Sequence, residues 1–370
     1  MLEVLNRYSH GMVLVPFVDA MRRQGCLAYM ASAGRFSAAS LCGRFSCNEG
    51  YVAVALRMFH TLGWIEAAGD GHWQVTKAFA AHAAIPDRIM ELYRFPFDGY
   101  ARGSAKRSLR RWLERSADGW ETADERLRDY LDGVFAIPLL LALEHHGRVR
   151  RGTADTEGRI ALDLELADGP RREIEAWLLA KRWTRRDPEG LCLLPSGQSM
   201  LDRIRTTAAL ASYRPMLAQT ATLLSGVPDD VLSLDGKGHE KHLDRTLNVV
   251  GSGFQHRRYF AALAGFVLRC FDTDDIATQP ACLADTGCGD GTLLRTLYDK
   301  VLAETKRGTA IDRHPLRLAA IDWNTKALRQ SALTLAGTPH TTLKGDIGDP
   351  ATIVANLGME EPTVCAALLH

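Results

Sequence analysis

An acid and three glycines stand between an apolar run and a helical pattern in Leu283-Ala284-Asp285-Thr286-Gly287-Cys288-Gly289-Asp290-Gly291-Thr292-Leu293-Leu294. Glycines at a strand-to-helix turn allow a tight bend, and they let a ligand approach backbone N–H groups at the helix N-terminus. A nucleotide pyrophosphate would suit that geometry. The acid before the glycines favours another ligand, because Asp285 attracts a cationic amine and repels a phosphate. Two more acids follow later apolar runs. Asp322, in Ala319-Ala320-Ile321-Asp322-Trp323-Asn324, can accept both protons of a ribose diol. Asp346, beside Ile347 in Lys344-Gly345-Asp346-Ile347, can frame an adenine. The interval from Gly287 to Asp322 exceeds the roughly 20 residues of a dinucleotide site. The polar stretch 304–315 explains the excess as a loop insertion.

Imidazoles form the second chemical signal. Gly251-Ser252-Gly253 opens a helix expected to continue to about Phe271, with Gln255 and His256 in its first turn. His256 there is either a capping or core histidine or a group facing the ligand. Gly238-His239-Glu240-Lys241-His242 has an H-x-x-H spacing, but it sits in a Gly/Lys-rich loop and reads as surface.

The periodicity supplies the elements that hold these residues. Strands are expected at 281–285, 316–322, 342–346 and 363–369, and helices at 292–302, 325–335 and 351–357. Strands alternating with helices predict a parallel, doubly wound, Rossmann-like α/β core over 226–370. The sequence stops immediately after the fourth strand, which reads as a core cut before its sheet is complete.

The region before the core is mainly helical. Two stretches repeat one pattern: a helical apolar stripe, a Trp, a short strand, a Gly/Asp/Pro turn and a second strand. One runs from Leu56 through Trp64 to Thr76, the other from Ile174 through Trp183 to Pro195. Helix plus β-wing predicts a winged-helix-like unit over 1–90 and another, with a following helix, over 136–225. A basic helical bridge over 91–135 joins them. The helix in the recognition position, Gly50 to Phe59, carries Arg57 as its only basic residue. Phosphate contacts need several Lys or Arg on one face, so packing, dimerisation or a lid role is favoured over DNA binding. The bridge contains Arg102, Lys106, Arg107, Arg110, Arg111 and Arg115, either a solvated face paired with nearby acids or a patch for an acidic partner. Further basic residues cluster at Arg148, Arg150 and Arg151 and at Lys181, Arg182, Arg185 and Arg186.

Composition excludes several classes. Forty-five basic against 44 acidic residues in 370 leave a net charge of +1, so no global field draws the chain to nucleic acid or membrane. The apolar run Val134 to Leu143 is too short to span a bilayer and contains Pro138. The N-terminus lacks a signal-peptide apolar region. The eight cysteines form no C-x-x-C pair, which fits reduced, cytoplasmic thiols rather than a disulfide scaffold or zinc ribbon.

An acid, a glycine loop and two further acids on consecutive strands resemble the cofactor motifs of class I S-adenosylmethionine methyltransferases. The stretch Asn248-Val249-Val250-Gly251-Ser252-Gly253-Phe254-Gln255-His256-Arg257-Arg258-Tyr259-Phe260 sharpens the likeness. With Asp285-Thr286-Gly287-Cys288-Gly289-Asp290-Gly291, it resembles methyltransferases embedded in bacterial polyketide synthases, in particular the mononuclear-iron type of the apratoxin synthase starter module. The resemblance covers about 240–370. It implies S-adenosyl-L-methionine held by Asp285, Gly287, Cys288, Gly289, Asp322, Trp323, Asp346 and Ile347. It also implies C-methylation of a malonyl or acyl unit on an acyl carrier protein. Iron or manganese is implied too, with ligands from Gln255 and His256 and from His370. Such a metal would acidify the α-carbon of malonyl as a Lewis acid. Ordinary C-methyltransferases use a His general base, so His256 serves either design. Two rival readings stand beside this one. The first is a small-molecule O-methyltransferase that dimerises through a winged helix, and the second is a winged-helix regulator.

Overall fold

The computed structural model describes residues 2–102, 108–156, 158–236, 240–245, 247–248, 251, 257–358 and 363–367. The chain divides into two compact units, Met1–Asp244 and Arg245–His370. Among the described residues, no helix is long and apolar enough to cross a membrane.

In the first unit, α1 (Leu2–Arg23) and α2 (Cys26–Ser32) lead to α3 (Ala38–Phe45) and α4 (Glu49–Thr61). Ser37 starts α3 with a capping box: its hydroxyl accepts from the Ser40 N–H, and the Ser40 hydroxyl accepts from the Ser37 N–H. A hairpin of β1 (Ile65–Ala67) and β2 (Trp73–Val75) follows, pairing Ile65 with Val75 and Ala67 with Trp73. Next come α5 (Glu91–Arg94), α6 (Phe97–Arg102), α7 (Ser108–Asp118) and α8 (Glu125–His145). The apolar run containing Pro138 is the buried part of α8, so it is a core helix. The expected boundary at 135/136 falls inside this helix, and that between 225 and 226 lies before the division at Asp244. The second wing is larger than the first. β3 (Val149–Arg151), β4 (Ile160–Leu164), β5 (Thr184–Asp187) and β6 (Gly190–Leu193) form an antiparallel sheet of order β3-β4-β6-β5. α9 (Asp168–Ala180) precedes β5, and α10 (Pro195–Arg203) follows β6. The helical pattern after the second wing is broken into two short helices, Arg214–Leu217 and Thr220–Ser225, interrupted at Ala218 and Gln219.

The sequence repeat has a structural counterpart at two helix ends. After α4, the Gly63 N–H donates to the His60 carbonyl (2.8 Å) and the Trp64 N–H to the Phe59 carbonyl (2.9 Å). After α9, the Arg182 N–H donates to Leu179 (3.0 Å) and the Trp183 N–H to Leu178 (3.0 Å). Both ends need a left-handed residue, Gly63 with φ 72° and Arg182 with φ 55°. Trp64 and Trp183 are both buried by this reversal. A side chain in the left-handed region costs roughly 1 kcal/mol. Arg182→Gly is therefore expected to raise stability by up to about 1 kcal/mol in urea denaturation. A loss of stability would mean that the Arg182 side chain contributes packing that outweighs its strain.

A buried polar group pins the helices around the second wing. Asp132 on α8, 2% exposed, accepts from Ser116 Oγ (2.6 Å), Trp120 Nε1 (2.8 Å) and Lys181 Nζ (2.6 Å). Trp177 Nε1 donates in turn to Ser116 Oγ (3.0 Å). Several arginines of the basic stretches also meet acids of the chain. Arg110 meets Glu114 (2.7 Å) and Glu173 (3.8 Å), Arg111 meets Glu91 (2.6 Å), and Arg115 meets Glu121 (3.6 Å). Arg150 pairs with Glu165, Arg151 with Glu144 and Asp202, and Arg186 with Glu175. The solvated, paired face is thus the arrangement found for these arginines. Lys106 and Arg107 lie outside the described residues.

The second unit contains α11 (Arg257–Arg269), β7 (Cys282–Thr286), α12 (Thr292–Glu304), β8 (Arg317–Asp322), α13 (Thr325–Thr334), β9 (His340–Lys344), α14 (Pro350–Leu357) and β10 (Thr363–Ala367). All four strands are parallel, in the order β10-β7-β8-β9. β7 is buried along its whole length because helices cover both faces of the sheet. One face packs Phe260, Val267, Leu294, Leu297 and Val301, and the other packs Ile321 and Ile353. This is the expected α/β Rossmann-like core, and it follows a mainly helical, winged region in the sequence. The stretch 304–315 is not wholly irregular. It holds a short helix, Lys306–Thr309, whose buried Arg307 donates to the carbonyls of Ile276 and Pro315 (both 3.1 Å).

Candidate functional site

The sheet order brings the C-terminal ends of β7, β8 and β9 side by side. Asp285 pairs in register with Ala320, and Asp322 with Lys344. Asp285, Asp322 and the segment after Lys344 therefore line one edge of the second unit. In an open parallel sheet this edge is where ligands bind.

Asp285 is 2% exposed, and its Oδ1 has no hydrogen-bond partner. Burial first, and the Asp322 carboxylate second, push its acid up to about 7 from an ordinary value near 4. A buried carboxylate without a partner is costly unless a cation arrives. The glycine loop answers the choice between phosphate and amine in the same sense. The Gly287 and Cys288 N–H groups both donate to the Ile321 carbonyl (2.8 and 3.0 Å), and the Gly291 N–H donates to Cys288 (2.9 Å). The Gly289 N–H donates to Asp322 Oδ2 (3.1 Å). These donors, expected to face the ligand, are already engaged, so the loop is a poor phosphate cradle. What it offers is close approach. Gly287, Gly289 and Gly291 all have positive φ (83°, 55° and 78°). A Cβ on Gly291 would stand 3.0 Å from the Ser331 side chain.

Asp322 is fixed from both sides. Its Oδ1 accepts the Asn324 N–H (2.7 Å), and Asn324 caps α13 through the Lys326 and Ala327 N–H groups. The bound oxygens keep lone pairs for further donors such as ribose hydroxyls. Trp323 is 60% exposed and Ile347 47%, so both apolar surfaces are open to a ligand. Lys344 Nζ lies 5.0 Å from the centre of the Trp323 ring. Asp346 is exposed two residues beyond the end of β9, and its Oδ1 accepts the Gly348 N–H (2.8 Å). Cys288 differs from its neighbours, because its side chain is buried in the core and burial pushes its thiol well above the usual range. Only its backbone runs along the loop. Lys344 was not singled out from sequence, although the pairing of β8 with β9 would have placed it beside Asp322.

These features fit the cofactor of a class I methyltransferase. The unpartnered Asp285 suits a cation, the Asp322 carboxylate a diol, and the exposed Trp323 and Ile347 a flat aromatic base. The metal reading has no such test. Gln255, His256, His370 and His239 lie outside the described residues. Among the described residues, no three His, Cys, Asp or Glu side chains are placed to hold a metal ion. His242, expected at the surface, is half-buried, and its Nδ1 is buried without a hydrogen-bond partner.

Fold and site fit the class of S-adenosylmethionine-dependent methyltransferases. Three family models match successive parts of the chain. The AprA MT2-like domain matches residues 240–370, the AprA N-terminal domain 1–67, and the AprA winged helix domain 132–227. No curated protein matches the sequence. Among solved structures, the chain is similar to the DszA carbon methyltransferase at 13% identity, with 94% of this chain and 60% of that one covered and a TM-score of 0.36. It is similar to the S-adenosylmethionine-dependent methyltransferase SibL in its apo form at 14% identity, with 94% and 66% covered and a TM-score of 0.21. CalO1, a methyltransferase in calicheamicin biosynthesis solved with SAH bound, matches at 12% identity, with 89% and 62% covered and a TM-score of 0.18. The chain thus spans 60 to 66% of the length of these structures.

Proposed function

We propose that the protein transfers a methyl group from S-adenosyl-L-methionine to the α-carbon of a malonyl or acyl unit carried by an acyl carrier protein in polyketide assembly. The observation that carries the cofactor is the buried, unpartnered Asp285 at the glycine loop. The substrate rests on the resemblance of 248–260 to polyketide-synthase methyltransferases and on the AprA-type domain matches. In this reading Asp285 holds the amino group of the methionine part, and Gly287 and Gly289 let it pass close to the backbone. Asp322 holds the ribose hydroxyls, while Trp323, Asp346 and Ile347 bound the adenine. The cofactor supplies an electrophilic methyl on sulfur and leaves as a neutral thioether. The protein's task is to take the α-proton from carbon; the resemblance draws metal ligands that would acidify it from the Gln255–His256 region, and His256 as a general base is the other design. Iron or manganese assistance is part of the same proposal.

The test is methylation of a malonyl-loaded carrier protein by the full chain, read by mass and by the position of the label. One added methyl on the α-carbon supports the reading, whereas methyl on oxygen of a free small molecule points to the O-methyltransferase alternative. If the metal takes part, chelation should lower carbon methylation at least tenfold without weakening cofactor binding. Full activity after metal removal leaves His256 as a general base. The proposed carrier contact uses the basic helices. Reversing Arg110 and Arg111 should slow methylation of carrier-bound substrate and leave a short pantetheine thioester unaffected, whereas equal loss with both would assign these arginines only to their ion pairs with Glu114 and Glu91.

A further inference from the structure

We propose that Cys26 and Cys47 form a dithiol that closes reversibly to an intramolecular disulfide, with Cys47 as the entry thiol and Cys26 as the resolving thiol. The two residues belong to different elements. Cys26 begins α2 and is fully buried, whereas Cys47 is half-buried in the turn between α3 and α4. That turn is set by Ser46, which closes α3 in the left-handed region with φ 52°. Both thiols are directed at one acceptor: Cys47 Sγ lies 3.1 Å and Cys26 Sγ 4.0 Å from Gln24 Oε1. Cys42, on α3, does not share the Gln24 acceptor.

Unequal access assigns the order of events. An external disulfide reaches the half-buried Cys47 but not the buried Cys26. The Cys47 thiolate attacks one sulfur of a low-molecular-weight disulfide, expelling one thiolate and leaving a mixed disulfide. Cys26 then gives up its proton and attacks Cys47 Sγ, which forms the Cys26–Cys47 bond and expels the second small thiol. The protein loses two electrons and two protons, and the reagent is reduced to two thiols. Burial raises both thiols, so closure should be slow at neutral pH and faster as pH rises.

The position gives the bond a mechanical consequence. Asn48, next to Cys47, holds the end of the short helix Thr220–Ser225: its N–H donates to the Leu224 carbonyl (2.7 Å), and its Nδ2 donates to Leu223 (2.7 Å) and Gly226 (3.1 Å). A disulfide would tie this anchor to α2.

Native full-length protein should be incubated with oxidised glutathione, alkylated, digested and mapped by mass. The expected product is a Cys26–Cys47 crosslinked peptide, reversed by a reduced dithiol and unaffected by Cys42→Ser. Cys26→Ala should trap a lasting glutathione adduct on Cys47. Cys47→Ser should leave Cys26 unmodified while the fold, checked by thermal melting, persists. A lasting adduct on Cys47 in the unaltered protein would overturn the proposal. So would a Cys42–Cys47 crosslink, or modification of Cys26 in folded Cys47→Ser.

Discussion

Asp285→Asn is expected to weaken S-adenosyl-L-methionine binding at pH 8 by a hundredfold or more, while removing a pH-dependent weakness of the free protein. The two effects share one cause. Asp285 is buried, lacks a partner for Oδ1 and faces the field of Asp322. Its acid sits at about 7 in the folded chain against about 4 when unfolded. The sign follows from linkage. A raised acid binds its proton more tightly in the folded state, so its contribution is fully favourable below pH 4. That contribution is lost as pH rises through 7. The ligand-free protein should therefore lose stability between pH 4 and pH 8, by up to roughly 3–4 kcal/mol from this group. The asparagine variant should lack that component. A cationic ligand reverses the balance by favouring the ionised acid, so cofactor affinity in the parent should rise from pH 6 to pH 8, with proton release detectable by calorimetry. Removing one partner of a buried charge pair costs about 3–5 kcal/mol, which sets the binding loss. Equal affinity in the two proteins, or an affinity that does not change with pH, would remove Asp285 from the cofactor site.

That site was legible in sequence to the extent that it depends on residue type at a strand end. Asp285 and Asp322 stand out because an acid directly after an apolar run has few structural uses. β7 and β8 were legible for the same reason, since strands buried on both faces read as continuous apolar runs. β9 is polar and half exposed, so its position was misjudged by two residues, and Asp346 was expected at a strand end that it lies beyond. Long-range pairings were harder to read. No local pattern tells that the Gly289 N–H is taken by Asp322 or that Lys344 lies over Trp323, because both depend on the pairing of strands distant in sequence. The basic bridge shows the same limit. Arg111 and Arg110 look like an open patch until the fold brings Glu91 and Glu173 to them. The winged repeats were legible because a buried Trp after a helix, followed by a turn, is a local signature. The register of the larger sheet was not, because β3 and β4 lie outside the repeat.

The crossing of α1 with α8 left no trace in the apolar pattern, and it carries the other large expected effect. Gly11 on α1 faces Tyr130 on α8, and Gly133 on α8 faces Tyr8 on α1. A Cβ on Gly11 would fall 2.0 Å from the Tyr130 carbonyl oxygen, and one on Gly133 would fall 2.2 Å from that of Tyr8. Both obstacles are backbone atoms, so a rotamer change cannot relieve either clash, and the helices must move apart. Separation would strain neighbours on the same faces. Arg7 Nε donates to Asp129 Oδ2 (2.7 Å), and the Tyr8 hydroxyl lies 3.5 Å from the buried Asp132. Asp132 in turn holds α7 and the end of α9 through Ser116 and Lys181. Gly133→Val should therefore destabilise the first unit by about 3 kcal/mol in urea denaturation, well beyond an ordinary surface change. Gly133→Ala and Gly11→Ala should each cost less. Their double variant should cost clearly less than the sum, because the separation forced by one methyl already makes room for the other. Strictly additive losses would mean that the two glycines act independently, with no single close crossing to open. Near-neutral losses would mean that α1 and α8 do not approach as closely as their backbones require here.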